Sequence, residues 1–144
     1  MIYIKSSAEI KAMREAGRLS GNALAYGGSL VAEGVTTHHI DTKIREFITS
    51  HGAKPSFLHY GGFPASACIS VNEEIIHGIP SNRVLKNGDI VKIDVGAFLK
   101  GFHGDTAATF PVGEISDEAK KLIAVTRQAF FEGKEMAVEG NRIG

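Results

Sequence analysis

The stretch Lys92–Phe110, KIDVGAFLKGFHGDTAATF, decides how this chain of 144 residues is read. An apolar, strand-like run carries one aspartate, Asp94, breaks at Leu99-Lys100-Gly101, and resumes with a second, Asp105. Lys-Gly offers a turn, so the stretch predicts a β-hairpin. A turn centred between Leu99 and Lys100 sets the two carboxylates nearly opposite each other, with Cβ atoms roughly 5 Å apart. Like charges so placed are destabilising, which implies that something positive belongs between them.

Two facing carboxylates have three common uses: they share a proton, act as an acid/base pair on a sugar, or hold metal ions. In two-metal hydrolases such pairs clamp ions about 3.5–4 Å apart, which activates water and polarises a carbonyl. The alternative is that Asp94 and Asp105 are solvated residues on an exposed sheet face. Spacing alone leaves that choice open, because the register is inferred.

Outward from the hairpin, the chain reads as helices followed by strands. Ser6 and Glu9 have capping-box spacing ahead of a stripe of Ile10, Met13, Gly17, Ser20 and Leu24, and Gly27-Gly28 is expected to end that helix. A second helix is predicted by Ile40, Ile44, Phe47 and Ile48, with Gly52 as its stop. From Phe57 to Val112 the content is β: SACISVN reads as a strand, and NEEIIHGIP as a turn leading into an extended piece. Asn87-Gly88 marks a turn before NGDIVKIDVGAF. A third helix, capped near Ser116, carries Leu122, Val125 and Ala129 on one stripe. Glu33-Gly34 and Glu139-Gly140 each follow a long amphipathic helix, so residues 7–113 read as a first repeat and 117–144 as the start of a second.

Composition narrows the class. Hydrophobic residues make up 43% and charged residues 22%, a soluble globular balance for one domain with its own core. Sixteen basic residues offset sixteen acidic ones and neither sign forms a block, so no footprint for nucleic acid or an anionic membrane is present. Cys68 is the single cysteine, which rules out an intrachain disulfide and fits a reducing compartment. MIYIKSSAEIKAM lacks the pattern of a signal peptide, and the longest apolar stretch is too short and glycine-broken to span a bilayer. The expected setting is cytoplasmic.

Among six histidines His77, in EEIIHGIP, stands out: two isoleucines precede it and a Gly-Ile-Pro bend follows, so the backbone is expected to fix its ring. It is placed to ligate metal or to hydrogen-bond a substrate amide, although a lone histidine is more often structural. His103 is expected to point away from Asp105, as neighbours on a strand alternate. His38, His39, His51 and His59 read as surface residues. FLHYGGFPASAC gathers Phe57, Tyr60, Phe63 and Cys68 around a Gly-Gly bend, either as walls of an apolar pocket or as core beneath a loop. No phosphate-cradling pattern accompanies it.

HYGGFPASACISVNEEIIHGIP (59–80), followed by LKNGDIVKIDVGAFLKGFHGDTAATFPVG (85–113), closely resembles the bacterial type I methionine aminopeptidases. The resemblance runs from SAEIKAMREAGRLS to EGNRIG, and HGIP, NGDIV-x-IDV and GFHGDT in this order are its specific marks.

The resemblance implies an α+β pita-bread fold, of the creatinase/aminopeptidase kind. Two pseudo-symmetric halves there share a curved antiparallel sheet with flanking helices, and this chain would be the first half. It implies removal of the initiator methionine from nascent proteins at a centre of two divalent ions: cobalt, manganese, iron or zinc. Asp94 matches the aspartate that chelates one ion and Asp105 one that bridges both. His77 matches the histidine that contacts substrate near the scissile amide. Tyr60, Phe63 and Cys68 match walls of the methionine pocket, and Phe57 falls where another wall lies. Gly61 departs from the pattern, since some relatives carry histidine there. The family's other ligands, one histidine and two glutamates, lie in its second half. The chain therefore reads as a truncated domain of low or no activity alone, whose exposed half-fold edge invites self-association. The alternatives are a prolidase-like or Xaa-Pro aminopeptidase and a non-catalytic pita-bread binding module.

Overall fold

α1 (Ser7–Ser29) begins where Ser6 and Glu9 close a capping box: the Glu9 amide donates to Ser6 Oγ at 3.3 Å and the Ser6 amide to Glu9 Oε2 at 2.7 Å. The structure is a computed structural model that describes residues 2–142. The buried face of α1 is Ala16, Leu19, Ser20, Ala23, Leu24 and Gly27. Ile10 and Met13, expected on that face, are 43% and 40% exposed. Close backing by the sheet starts at Ala16, where Gly104 lies so near that an added Cβ would come within 2.3 Å of the Ala16 carbonyl oxygen.

Gly27 and Gly28 do not stop the helix. They let α1 approach its neighbours: a Cβ on Gly27 would sit 2.6 Å from Ile44 Cδ1, and one on Gly28 2.1 Å from Phe110 Cε1. α2 (Thr37–Ser50) is capped by Thr36, whose Oγ1 accepts the His39 amide at 3.2 Å. Ile40, Ile44 and Ile48 recur at helical spacing and are fully buried.

The strands are β1 (Lys54–Pro55), β2 (Ala67–Val71), β3 (Ile90–Leu99) and β4 (Phe102–Pro111). All pairings are antiparallel; β3 is central, with β1 and β2 along one side and β4 along the other. Val91, Ile93, Val95 and Ala97 of β3 and Ala67, Ile69 and Val71 of β2 alternate onto one face, where they pack with Leu19, Ala23, Leu24, Ile40, Ile44 and Ile48. Burying the valine, leucine and isoleucine side chains contributes about 1.5–3 kcal/mol each before entropy is counted. Ser20 sits in this core because its hydroxyl donates to the Val95 carbonyl at 2.6 Å. Helices on one face of an open antiparallel sheet are the α+β arrangement expected of a pita-bread half. The other face carries Asp94 and Asp105.

These elements, up to Glu114, form one compact unit, and residues from Ile115 onward form a second. The second contains α3 (Asp117–Glu135), capped by Ser116, whose Oγ accepts the Ala119 amide at 3.1 Å. No residue of α3 is buried, and Leu122 and Val125 of its apolar stripe are 59% and 55% exposed. Among the described residues, no helix is long and apolar enough to cross a membrane.

Candidate metal centre

The β3–β4 turn sets the geometry of the carboxylates. Lys100 and Gly101 both have positive φ, +52° and +85°, as a two-residue type I′ turn requires. Leu99 therefore pairs with Phe102, and Asp94 faces Ala107 while Asp105 faces Gly96. The expected turn centre was one residue too early. The two aspartates share a face but lie diagonally, where Cα atoms are about 7–8 Å apart and Cβ atoms somewhat closer. A diagonal relation sets the two backbones further apart than direct opposition would, yet the carboxyls still lean together within hydrogen-bond reach.

Across β3 from Ala107, Cys68 of β2 pairs with Asp94. Asp94 Oδ1 is buried and has no hydrogen-bond partner among the described residues. Burial first, then the Asp105 charge and a hydrogen bond to Asp105 that only the protonated acid can make, push the Asp94 carboxyl up to about 6; His77 opposes this. A buried carboxylate oxygen without a donor is costly unless a cation or proton satisfies it. Asp94 and Asp105 thus fit part of a divalent-metal ligand set. Among the described residues, no group of three or more His, Cys, Asp and Glu side chains is placed to hold an ion.

His77 approaches this face from the far side of β2. The Ile69 amide donates to the Gly78 carbonyl at 2.9 Å, which lays residue 78 along β2. His77 itself is exposed and has φ +58°, a left-handed conformation that is uncommon away from glycine. Cys68 is buried, and its thiol is pushed up to about 11 by burial and by the charges of Asp94, Asp105 and Asp41, so it stays neutral.

Phe57 lies over Gly96, the residue opposite Asp105. A Cβ on Gly96 would come within 2.7 Å of both Phe57 Cε1 and Ser56 Cβ, so only glycine admits the ring there. The Ser56 amide donates to the Gly96 carbonyl at 2.9 Å. Phe63 is half-buried and Tyr60 is 81% exposed, after a left-handed His59 and ahead of left-handed Gly61 and Gly62. Phe57 and Cys68 thus stand on the face that bears the aspartates, while Tyr60 is open to solvent.

His103 corrects an expectation. It lies two residues from Asp105, not one, so both share a face. Its Nδ1 is 2.9 Å from Ser56 Oγ, and its ring stacks on Phe98 at 4.7 Å. His38, His39, His51 and His59 are exposed, as expected.

Asp41 was not singled out from the sequence. It is 1% exposed; Oδ1 accepts the Ser66 and Ala67 amides at 2.8 and 2.9 Å, and Oδ2 accepts from Arg45 Nη2 at 3.1 Å. Arg45 Nε also reaches Ser66 Oγ at 2.9 Å. This clamp fixes the entry to β2 and hence Cys68. Its one trace in the sequence is a carboxylate on the apolar stripe of α2, three residues before Ile44, with arginine four residues on, which does not reveal the amides it binds.

A model of metallopeptidase family M24 matches residues 11–144. The methionine aminopeptidase of Clostridium acetobutylicum is 54% identical over 99% of this chain, which covers 58% of that protein. The crystal structure of methionine aminopeptidase from Rickettsia prowazekii superposes with a TM-score of 0.90 at 43% identity, over 92% of this chain and 54% of that one. An Xaa-Pro dipeptidase from Bacillus anthracis superposes with a TM-score of 0.78 at 28% identity, over 90% of this chain and 35% of that one. The chain spans somewhat over half the length of the methionine aminopeptidases it matches. With two aspartates sharing one sheet face and a family match over nearly its whole length, the chain belongs to metallopeptidase family M24, whose members use divalent metal.

Proposed function

We propose that the protein carrying this chain removes the initiator methionine from nascent polypeptides at a centre of two divalent ions, in the cytoplasm. The observation that carries this is the buried Oδ1 of Asp94, without a hydrogen-bond partner among the described residues, on the same face as Asp105. Asp94 and Asp105 would be this chain's contribution to the ligands of those ions. Bound divalent ions of this kind lower the pKa of water and polarise a scissile carbonyl.

The chain's own residues position the substrate. His77 donates or accepts a hydrogen bond near the scissile amide. Phe57, Tyr60, Phe63 and Cys68 receive the methionine side chain; a neutral thiol is a soft, weakly polar surface for a thioether. Cobalt, manganese, iron and zinc remain the candidate ions, since oxygen ligands discriminate poorly among them.

The test is a protein carrying this chain over the full length of its relatives, assayed with methionyl peptides beside Xaa-Pro peptides. Release of methionine with no cleavage of Xaa-Pro substrates supports the reading. Preference for Xaa-Pro would favour the prolidase-like alternative, for which the similarity to the Bacillus anthracis dipeptidase speaks. Cleavage of neither, with metal bound, would favour a non-catalytic binding module.

For the 144-residue chain by itself we propose weak metal binding and little or no activity, because two aspartates are only part of a ligand set. Residues 7–113 would form one pseudo-repeat and 117–144 the start of another. Among the described residues β4 pairs only with β3, so its outer edge is open, and such edges recruit other strands. The chain alone is therefore expected to self-associate. Light scattering after size exclusion at micromolar concentration decides this, and a monodisperse monomer would overturn it.

A further inference from the structure

We propose that Ser70 is the positioning residue for His77, a role that rests on the reading of His77 as a substrate contact. Ser70 is 2% exposed and pairs with Lys92, two residues along β2 from the Cys68–Asp94 pair. Its side chain therefore points to the face that carries Asp94. Its Oγ accepts the Gly78 amide at 2.9 Å.

That bond replaces a ladder bond. In a regular antiparallel exchange the Gly78 amide would return to the Ile69 carbonyl, because the Ile69 amide already donates to Gly78. Gly78 is instead held towards the site face, hard against β2. A Cβ on it would come within 2.3 Å of the Ile69 oxygen and 2.8 Å of Ser70 Cα. The residue before it, His77, then takes its left-handed φ of +58°. A non-glycine residue holds that conformation only when its surroundings over-determine it.

The start of the same loop is anchored separately. The Val71 amide donates to Glu74 Oε2 at 2.7 Å, Glu74 pairs with Arg83 at 3.0 Å, and Lys92 Nζ donates to the Asn72 carbonyl at 2.5 Å. Ile75 and Ile76 between the anchors are 82% and 69% exposed. Gly78, next to His77, is thus anchored twice, by its carbonyl to the Ile69 amide and by its amide to Ser70 Oγ; the second bond is the one made by a side chain, and it ties the location of the imidazole to the register of β2.

The test is a double-mutant cycle in the full-length, metal-loaded protein, with metal content and kcat/KM measured together. Ser70→Ala is expected to lower kcat/KM about tenfold, the worth of one neutral hydrogen bond, with metal retained. His77→Ala is expected to lower it about 10²–10³-fold. In the His77→Ala background, Ser70→Ala should cost less than about twofold, because the two act through one group. An equal cost of Ser70→Ala in both backgrounds would make Ser70 a general structural residue and overturn the inference. Full activity of Ser70→Ala beside an impaired His77→Ala would overturn it as well. An unimpaired His77→Ala would overturn the reading of His77 itself. Amide exchange in the unmutated protein needs no variant to fold: the Gly78 amide should be protected, and its free exchange would refute the anchor.

Discussion

Asp94 and Asp105 lie on one face of the β3–β4 hairpin as a diagonal pair, each facing a residue without a charged side chain, Ala107 and Gly96. Phe57 covers Gly96, and the two carboxyls lean together within hydrogen-bond reach. Asp94 is held in its acid form more readily than an ordinary aspartate, pushed up to about 6 by burial and by Asp105. Because the folded-state value lies above the unfolded one, this group contributes stability that is complete below about pH 4 and is lost as pH rises through about 6. Thermal unfolding of metal-free protein from pH 4 to 8 should show this decline, and Asp94→Asn should flatten it and raise the melting temperature at pH 7. A mutant that melts lower at pH 7 would contradict the account.

Cys68 should react sluggishly. With its thiol pushed up to about 11, the thiolate fraction at pH 8 is small, and a disulfide reagent should label the folded protein about two orders of magnitude more slowly than the denatured chain. Comparable rates in the two states would mean that the thiol is open and ionised.

Asp41→Ala removes the acceptor for two backbone amides and the partner of Arg45. Arg45 is 42% exposed and can turn to water, so the cost is chiefly that of leaving the two buried amides without an acceptor, about 2–6 kcal/mol. Urea unfolding should register a loss in that range. A loss under about 1 kcal/mol would show that the Ser66–Ala67 entry to β2 is held by packing alone.

Two glycines of the hairpin should differ. Gly104→Ala drives a methyl into the Ala16 backbone and should cost about 1–3 kcal/mol or more, since backbone cannot rotate away. Gly101→Ala meets nothing within 4 Å and should cost only about 1 kcal/mol for its positive φ. Chemical denaturation of both variants checks the order; a reversal would place the close approach of α1 elsewhere.

Local chemistry determined much of this protein in advance. Ser6, Thr36 and Ser116 are side chains that satisfy helix-end amides, and isoleucines at 40, 44 and 48 repeat at the helical period, so these helices follow from neighbours in the chain. The hairpin and its two aspartates were legible for the same reason: alternation and a Lys-Gly turn act over a few residues. Position along a strand is less forgiving. The positive φ of Lys100 as well as Gly101 set the turn centre, and a shift in that centre changed which residues oppose Asp94 and Asp105.

The rest was decided only by the tertiary structure. Gly27 and Gly28 look like a helix stop until Ile44 and Phe110 arrive against them. Asp41 reads as a polar intrusion on an apolar stripe until the Ser66 and Ala67 amides come within reach of it. The backbone next to His77 is placed because Gly78 docks on β2, a contact between the loop and a strand already paired to β3. Each of these depends on backbone groups brought together from distant parts of the chain. Periodicity and propensity describe a residue's near neighbours, whereas hydrogen-bond satisfaction and steric fit are settled by whatever the fold packs against it.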